Sequence, residues 1–218
     1  MPREDELTLL GSLPIAERKR VVGASALRGF AKGDVIFREG EPARSVWIVR
    51  SGWVYLVKRT PQGGRATIFA MTPDEALCGI SAFDHGTYSA GAVAATRCEL
   101  LQIPAELFAS LLERSPAFTK QVLLTCCQRI RQMAEAISLA QAPVERRLIY
   151  VLWRLSNTFG ATIPITHREL AQMAGTRWET SIRTLTKLKR QGWLASSRGK
   201  IRILHPETLR ALLNSSHG

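Results

Sequence analysis

The chain has 218 residues, of which 45% are hydrophobic, so it is long enough for one large domain or two modest ones with their own cores. It lacks any run near the roughly 18 apolar residues that a membrane span needs, and its first residues, MPREDELTLL, do not follow the order of a signal peptide. We therefore expect a cytoplasmic protein with no membrane partner; its four cysteines fit the spacing of neither a zinc ribbon nor a disulfide framework.

The positive charge is concentrated in the last third of the chain. Residues 143–218, called the basic segment below, contain 13 Lys and Arg against 4 Asp and Glu, a net charge of +9. Residues 1–142 contain 17 against 14, a net charge of +3. A compact basic segment joined to a nearly neutral body is typical of a protein that binds a polyanion such as nucleic acid.

The first half of the chain alternates short β-rich runs with turns. The runs GDVIFR, SVWIVRS, WVYLVKR and RATIFAM combine mixed or alternating apolar positions with β-branched and aromatic residues. The segment TPQGG at 60–64 is typical of a hairpin turn between two of them. About eight such strands predict an antiparallel β-roll of the jelly-roll type within residues 1–115.

Helical periodicity replaces this pattern after the β-rich part. We expect a short helix over 105–112 and a long one over 116–140, within a dimerisation and hinge segment at 116–142. Apolar residues recur along the long helix at alternating spacings of three and four, at Leu123, Cys126, Ile130, Met133, Ile137 and Ala140. So narrow a stripe predicts that the helix pairs with a second copy of itself. Packing against the sheet of its own domain is the alternative.

The basic segment predicts a winged helix-turn-helix domain. Two capping boxes, Thr166 with Glu169 and Thr176 with Glu179, predict the starts of two helices. Gly175 lies in the brief turn between them, and helix, tight turn and helix is the layout of a DNA-binding motif. The stretches WLAS and IRIL, joined by a turn at SRGK, predict a hairpin that forms the wing.

The second of these helices, RWETSIRTLTKLKRQ, has an apolar side and a polar side. A recognition helix brings its N-terminal residues to base edges, where Arg suits guanine and Glu suits cytosine. Glu179 and Arg183 share the polar side, although an exposed ion pair between them is the alternative. Trp178 either packs in the core or touches a thymine methyl group. We predict DNA contacts from Arg177, Trp178, Glu179, Thr180, Arg183, Lys187, Arg198 and Lys200.

These parts, in this order, resemble the cyclic-AMP receptor / fumarate-nitrate regulator family of bacterial transcription factors. The resemblance covers nearly the whole chain and rests on AKGDVIFREGEPARSVWIVRSGWVYLVKRTPQGGRATI, on the long helix and on HRELAQMAGTRWETSIRTL. It implies an α+β fold with an effector-sensing β-roll, a helix that forms a homodimer, and a winged helix that binds palindromic promoter DNA. It also implies that Glu179 and Arg183 contact bases. We therefore expect a transcription regulator, an activator that contacts RNA polymerase.

The stretch LCGISAFDHGTYSAGA, residues 77–92, corresponds to the segment with which some members of that family bind a cyclic nucleotide. Those members carry a Gly-Glu pair and a later Arg-Ser/Thr-Ala. Here Ile80 stands where the Glu would bind the ribose, and Tyr88 stands where the Arg would bind the phosphate. We therefore do not expect cyclic AMP to bind. The residues assigned to an effector pocket are Gly79, Ile80, Tyr88, Ser89 and Met133.

Other sensing chemistry and other functions stay open at this point. The chain lacks the N-terminal cysteine cluster of the oxygen-sensing members, which argues against an iron–sulfur centre. Haem is an alternative, because His85, Cys78 and Met133 are chemically able to ligate iron, although we expect no cofactor. An enzyme is not expected, because the four histidines lack catalytic partners at motif spacing. Non-specific architectural binding of nucleic acid is a further alternative.

Overall fold

A computed structural model describes residues 9–61, 63–77, 81, 84 and 86–214. The chain forms two compact units, Met1–Ile130 and Arg131–Gly218. Within the described part, no helix is both long enough and apolar enough to cross a membrane.

Eight strands, counted over the described residues, form the sheets of the first unit. They are β1 Ala26–Phe30, β2 Val35–Phe37, β3 Ser45–Ser51, β4 Val54–Arg59, β5 Arg65–Met71, β6 Ala76–Leu77, β7 Gly91–Ala94 and β8 Cys98–Pro104. All neighbours pair antiparallel, in two four-stranded sheets of order β1-β8-β3-β6 and β2-β7-β4-β5. The predicted antiparallel roll is therefore confirmed.

The continuous apolar run of β3 is explained by burial on both of its faces. Val46 and Ile48 pack into a cluster that also contains the helices of this unit, whereas Trp47 and Val49 pack into a second cluster with residues of the other sheet. Successive side chains of a strand point to opposite faces, so one strand contributes to both clusters.

Three α-helices, counted over the described residues, begin in the first unit: α1 Ile15–Gly23, α2 Ala105–Arg114 and α3 Pro116–Ser138. Phe108 of α2 and Phe118 of α3 are fully buried, with ring centroids 5.3 Å apart in an edge-to-face arrangement. The two predicted helices are thus present. The boundary between the compact units falls within α3, between Ile130 and Arg131.

The long helix is shorter than the sequence predicted. It ends at Ser138, so Ala140 lies in a turn and is not part of the helical stripe. The N–H of Ala140 donates to the Ile137 carbonyl, three residues back, and the N–H of Ala142 donates to Leu139 in the same way. These tighter turns end the helix before Pro143, because the ring of a proline disfavours helical geometry at the residue that precedes it.

The second unit continues with α4 Val144–Phe159, β9 Thr162–Ile163, α5 His167–Met173, α6 Trp178–Arg190, β10 Leu194–Ser197, β11 Lys200–Ile203 and α7 Pro206–Asn214. Its three strands form an antiparallel sheet of order β10-β11-β9. The predicted wing hairpin is confirmed as β10 and β11. Strand β9 was missed, because two residues followed by Pro164 are too few to show a strand pattern.

Candidate nucleic-acid interface

The predicted capping box at the start of α5 is present. Glu169 N–H donates to Thr166 Oγ1 at 3.2 Å, and Thr166 N–H donates to Glu169 Oε2 at 2.8 Å. Two backbone donors that the helix cannot satisfy internally are therefore satisfied by side chains. This fixes the first residue of α5, with Leu170 and Ala171 on its buried side.

The second predicted capping box does not form, and this prediction is wrong. Helix α6 begins at Trp178 with Arg177 as its N-cap, and no side chain caps it. The backbone N–H of Thr176 instead donates to the Ala171 carbonyl at 3.0 Å, so it is not available to Glu179. Glu179 lies in the first turn of α6, where a carboxylate is favoured by the helix dipole.

The turn between α5 and α6 requires a glycine and is held by an arginine of α4. Gly175 has φ +58°, in the left-handed region that glycine adopts most readily. Its carbonyl accepts a hydrogen bond of 3.2 Å from Arg147 Nη1, which also donates to the Ala140 carbonyl at 3.4 Å. Arg147 thus joins the turn after α3 to the turn of the helix-turn-helix, a role that the sequence did not reveal.

Helix α6 presents the two sides that the sequence predicted. Its buried residues are Ser181, Leu185 and Leu188. Its exposed polar residues include Glu179, Arg183, Thr186, Lys187 and Arg190. The buried side anchors the helix, so the exposed side is free to meet a partner.

Trp178 does not pack in the core, which was one of the two alternatives for it. Its side chain is 45% exposed at the start of α6, beside the exposed Arg177. The Arg168 guanidinium lies 5.9 Å from the centroid of the indole ring, within the range of a cation–π interaction. The next predicted contact, Thr180, is half-buried.

The wing carries exposed cations at the tip of its hairpin. Ser197 pairs with Lys200 across the hairpin, and Gly199 between them has φ +72°. Lys200 and Arg198 are exposed, whereas Ile201 is buried. Alternation along β11 therefore directs basic side chains outward while apolar ones anchor the strand.

One predicted DNA contact already has an ionic partner in the chain. Lys187 Nζ lies 2.6 Å from Glu145 Oε2 in the first turn of α4. At the start of α5, burial and then the charge of Lys189 lower the pKa of His167. Sequence reasoning missed Glu145, because nothing in a linear pattern relates it to a residue 42 positions away.

Two family models match the chain, the cyclic nucleotide-binding domain over residues 27–115 and the Crp-like helix-turn-helix domain over residues 146–212. The chain is 30% identical over 178 residues to the cyclic AMP receptor protein of Thermus thermophilus, which covers 81% of this chain and 82% of that one. The chain belongs to the CRP/FNR family of transcription regulators. Its basic segment contains the helix-turn-helix domain with which such a regulator binds DNA.

Two further similarities agree with this family. The nitrogen fixation regulation protein FixK of Bradyrhizobium diazoefficiens is 27% identical over 211 residues, covering 92% of this chain and 87% of that one. A crystal structure of a CRP/FNR-family transcriptional regulator from Thermus thermophilus matches with a TM-score of 0.71 at 26% identity, covering 87% of this chain and 99% of that one.

The apolar stripe of α3 is exposed in this CRP/FNR-family chain. The large apolar residues on its exposed surface, which retain 49–71% of their accessible area, are Leu123, Leu124, Ile130, Met133 and Ile137. Cys126 is half-buried, and burial and then Cys127 raise its pKa. Leu123 and Ile130, the stripe's large residues within the first unit, therefore do not pack against the sheet of that unit. Self-pairing stays a prediction.

A different side of α3 is fixed to the roll by one arginine. The Arg129 guanidinium pairs with the Glu75 carboxylate and lies 5.1 Å from the centroid of the Phe69 ring. Glu75 also accepts hydrogen bonds from the backbone N–H and the hydroxyl of Thr72, at 2.7 and 2.9 Å. These contacts hold α3 against the turn between β5 and β6.

Of the residues assigned to an effector pocket, Gly79 and Ile80 lie outside the described residues, as do the haem-ligand candidates Cys78 and His85. Tyr88 is buried, with its ring stacked on Phe37 at a centroid distance of 3.9 Å. Ser89 is exposed, and its carbonyl accepts a hydrogen bond from Lys58 Nζ at 2.6 Å.

Met133, the last residue assigned to that pocket, lies on α3 in the second compact unit. Over the described part of the chain, no three His, Cys, Asp or Glu side chains come together as metal ligands. Cys98 is buried, and burial and then Asp34 raise its pKa to about 11, as expected for a packed thiol.

Proposed function

We propose that this protein is a homodimeric, sequence-specific regulator that binds a palindromic promoter site, contacts RNA polymerase as an activator, and has no catalytic role. We place it in the cytoplasm, with a sensor domain at 1–115, a dimerisation helix and hinge at 116–142, and a DNA-binding domain at 143–218. The exposed polar side of α6, opposite its buried apolar side, is the observation that carries the proposal.

Two residues of that side are suited to reading bases. Arg183 follows Glu179 by four residues, so both side chains project from the same side near the start of α6. A guanidinium donates to O6 and N7 of guanine, and a carboxylate accepts from N4 of cytosine. Trp178, exposed beside them, offers an apolar surface for a thymine methyl group.

The exposed cations around these residues are suited to phosphates. Arg177 precedes α6, and Arg198 and Lys200 occupy the tip of the wing. Contacts of this kind position the protein and supply affinity, but they carry no sequence information. Sequence specificity would thus come from α6 and much of the affinity from its surroundings.

Pairing of two copies through α3 would explain the exposed apolar stripe of that helix. Removing its large side chains from water is favourable by about 25 cal/mol for each Å² of apolar surface. A two-fold dimer sets two recognition helices about 34 Å apart, one turn of DNA, and therefore selects an inverted repeat. Membership of the CRP/FNR family is consistent with a homodimer of this kind.

The proposal includes independence from cyclic AMP. The position of the phosphate-binding Arg is taken by Tyr88, which is buried and makes its hydrogen bonds within the protein. An aromatic hydroxyl without positive charge cannot replace the bidentate contacts of a guanidinium to phosphate. The similar proteins include both a cyclic AMP receptor protein and FixK, so membership of the family does not by itself identify the effector of this protein.

Selection of bound duplexes from a random pool by the full-length protein tests this function. We expect an enriched inverted repeat whose half-sites are separated by about one turn of DNA, and equal binding with and without cyclic AMP. Equal affinity for the enriched site and for a scrambled duplex at about 150 mM salt would instead indicate architectural binding. Enrichment that depends on cyclic AMP would contradict the proposed independence.

A further inference from the structure

We infer that Glu145 is a specificity-determining residue that withholds Lys187 from the DNA backbone. This inference rests on the proposed function of α6 as the recognition helix. It assigns to an acidic residue of α4 the task of limiting the sequence-independent part of DNA binding.

Lys187 is in a position from which it would otherwise meet phosphate. It follows Arg183 by four residues and Glu179 by eight, so it lies on the same side of α6, one helical turn beyond Arg183. Its side chain is 57% exposed. A long flexible cation at the edge of a groove-binding helix is suited to reach the backbone.

Glu145 occupies this cation in the unbound protein. The distance from Lys187 Nζ to Glu145 Oε2 is 2.6 Å, a charge-assisted hydrogen bond. Glu145 lies in the first turn of α4, where the helix dipole favours a carboxylate. Two residues later, Arg147 bonds to the Gly175 carbonyl in the turn before α6. The carboxylate is therefore fixed by the same elements that position the recognition helix.

The Lys187–Glu145 pair changes the balance between sequence-independent binding to phosphates and sequence-specific binding to bases. Each cation that neutralises a phosphate releases counterions and adds affinity for any sequence. A lysine already neutralised by a carboxylate adds little of this affinity, and the carboxylate itself repels the phosphates. The base contacts of Arg183 are not altered. Glu145 should therefore lower non-specific affinity and raise the ratio of specific to non-specific binding.

Fluorescence anisotropy titrations of the full-length protein test this inference, with the selected site and a scrambled duplex at several salt concentrations. Glu145→Gln should bind the scrambled duplex about three- to tenfold more tightly and steepen the slope of log K against log[salt] by about 0.9. The specific-to-non-specific ratio should fall. Lys187→Gln should bind the scrambled duplex more weakly than wild type, because Glu145 then repels the phosphates without a paired cation.

The double variant Glu145→Gln/Lys187→Gln separates the pair from a general charge effect. Glu145→Gln should tighten binding to the scrambled duplex several-fold less in the Lys187→Gln background than in the wild-type background, whereas a general charge effect would give the same gain in both. Glu207→Gln is the matched control, because Glu207 is also acidic and lies in the first turn of a helix of this unit, α7. It should leave both affinities unchanged.

Three results would overturn the inference: a Glu145→Gln protein with unchanged or weaker binding to scrambled DNA, an unchanged salt slope, or a gain from Glu145→Gln that is as large in the Lys187→Gln background as in wild type. Failure of the proposed function is distinguishable, because wild-type protein would then show no preferred site. The titrations with scrambled DNA would still report whether Glu145 limits the contact between Lys187 and phosphate.

Discussion

The hydroxyl of Tyr88 donates a hydrogen bond of 2.8 Å to the carbonyl of Ser45 and accepts one of 3.2 Å from the indole N–H of Trp47. Stacking on Phe37 completes its surroundings. Tyr88, which we predict to stand where cyclic-nucleotide-binding members of the family carry an arginine, is therefore part of the protein core. Turning this side chain toward a ligand would break buried hydrogen bonds and remove an aromatic ring from the core.

Tyr88→Phe should reduce the free energy of unfolding by about 1–3 kcal/mol, because the Trp47 N–H and the Ser45 carbonyl lose a buried partner. Urea denaturation followed by circular dichroism measures the change. Ser89→Ala, at the exposed neighbouring position, should stay within about 0.5 kcal/mol of wild type. A Tyr88→Phe protein as stable as wild type would show that these bonds contribute nothing net.

Arg183→Ala should cost about 1–3 kcal/mol of binding to the selected site and relax the preference for one guanine in each half-site. Lys200→Ala, at the wing, should weaken binding to all sequences alike and make the salt slope shallower by about 0.9, because it removes one phosphate contact. Anisotropy titrations against single-base variants of the site distinguish the two patterns. Unchanged base preference in Arg183→Ala would mean that another side of α6 reads DNA.

Ile130→Asp should yield monomers and abolish high-affinity binding, because it puts a charge at the centre of the exposed stripe of α3. Analytical ultracentrifugation of the purified protein measures the assembly state. Gln128→Asp introduces the same charge at an exposed polar position of the same helix and should leave the dimer intact. A dimer that persists in Ile130→Asp would move the interface to another surface.

Thr166→Ala should destabilise the second unit by about 0.5–2 kcal/mol, because it removes the side chain that caps α5. Thr176→Ala should have a much smaller effect, since no side chain caps α6. Thermal unfolding of both variants makes a direct comparison between one capping box that forms and one that does not. Equal losses would indicate that Thr176 caps α6 after all.

Acidification should destabilise the protein through His167. Burial and the charge of Lys189 lower its pKa below the ordinary value of 6.5, so the unfolded state binds more protons at this site. The free energy of unfolding therefore falls as the pH drops below 6.5, and the loss is complete below the pKa of the folded state. In urea denaturation between about pH 7.5 and about pH 5, His167→Gln should show a flatter profile than wild type, with His205→Gln as the control. Parallel profiles of His167→Gln and wild type would contradict this.

Local patterns in the sequence determined the elements and their order. Alternation predicted the strands of the roll, and periods of three and four predicted α3 and the two sides of α6. The box of Thr166 and Glu169 was readable because its two residues are only three positions apart and each side chain bonds to the backbone N–H of the other. The same box does not form at Thr176, because the N–H of Thr176 donates to the carbonyl of Ala171 and is not available to the Glu179 carboxylate.

Only the tertiary structure decided which partner each long polar side chain takes. The pairs Lys187–Glu145 and Arg129–Glu75 join residues 42 and 54 positions apart, and the bond of Arg147 to Gly175 spans 28. The periodicity of apolar residues indicates which side of a helix or strand is buried, but it does not indicate which other element packs against it. Charged side chains are long, flexible and mostly exposed, so their partners depend on the packing of whole elements. The sequence therefore identified a DNA-binding transcription regulator, whereas the fold identified the polar contacts that α4 makes with α6 and with the turn before it.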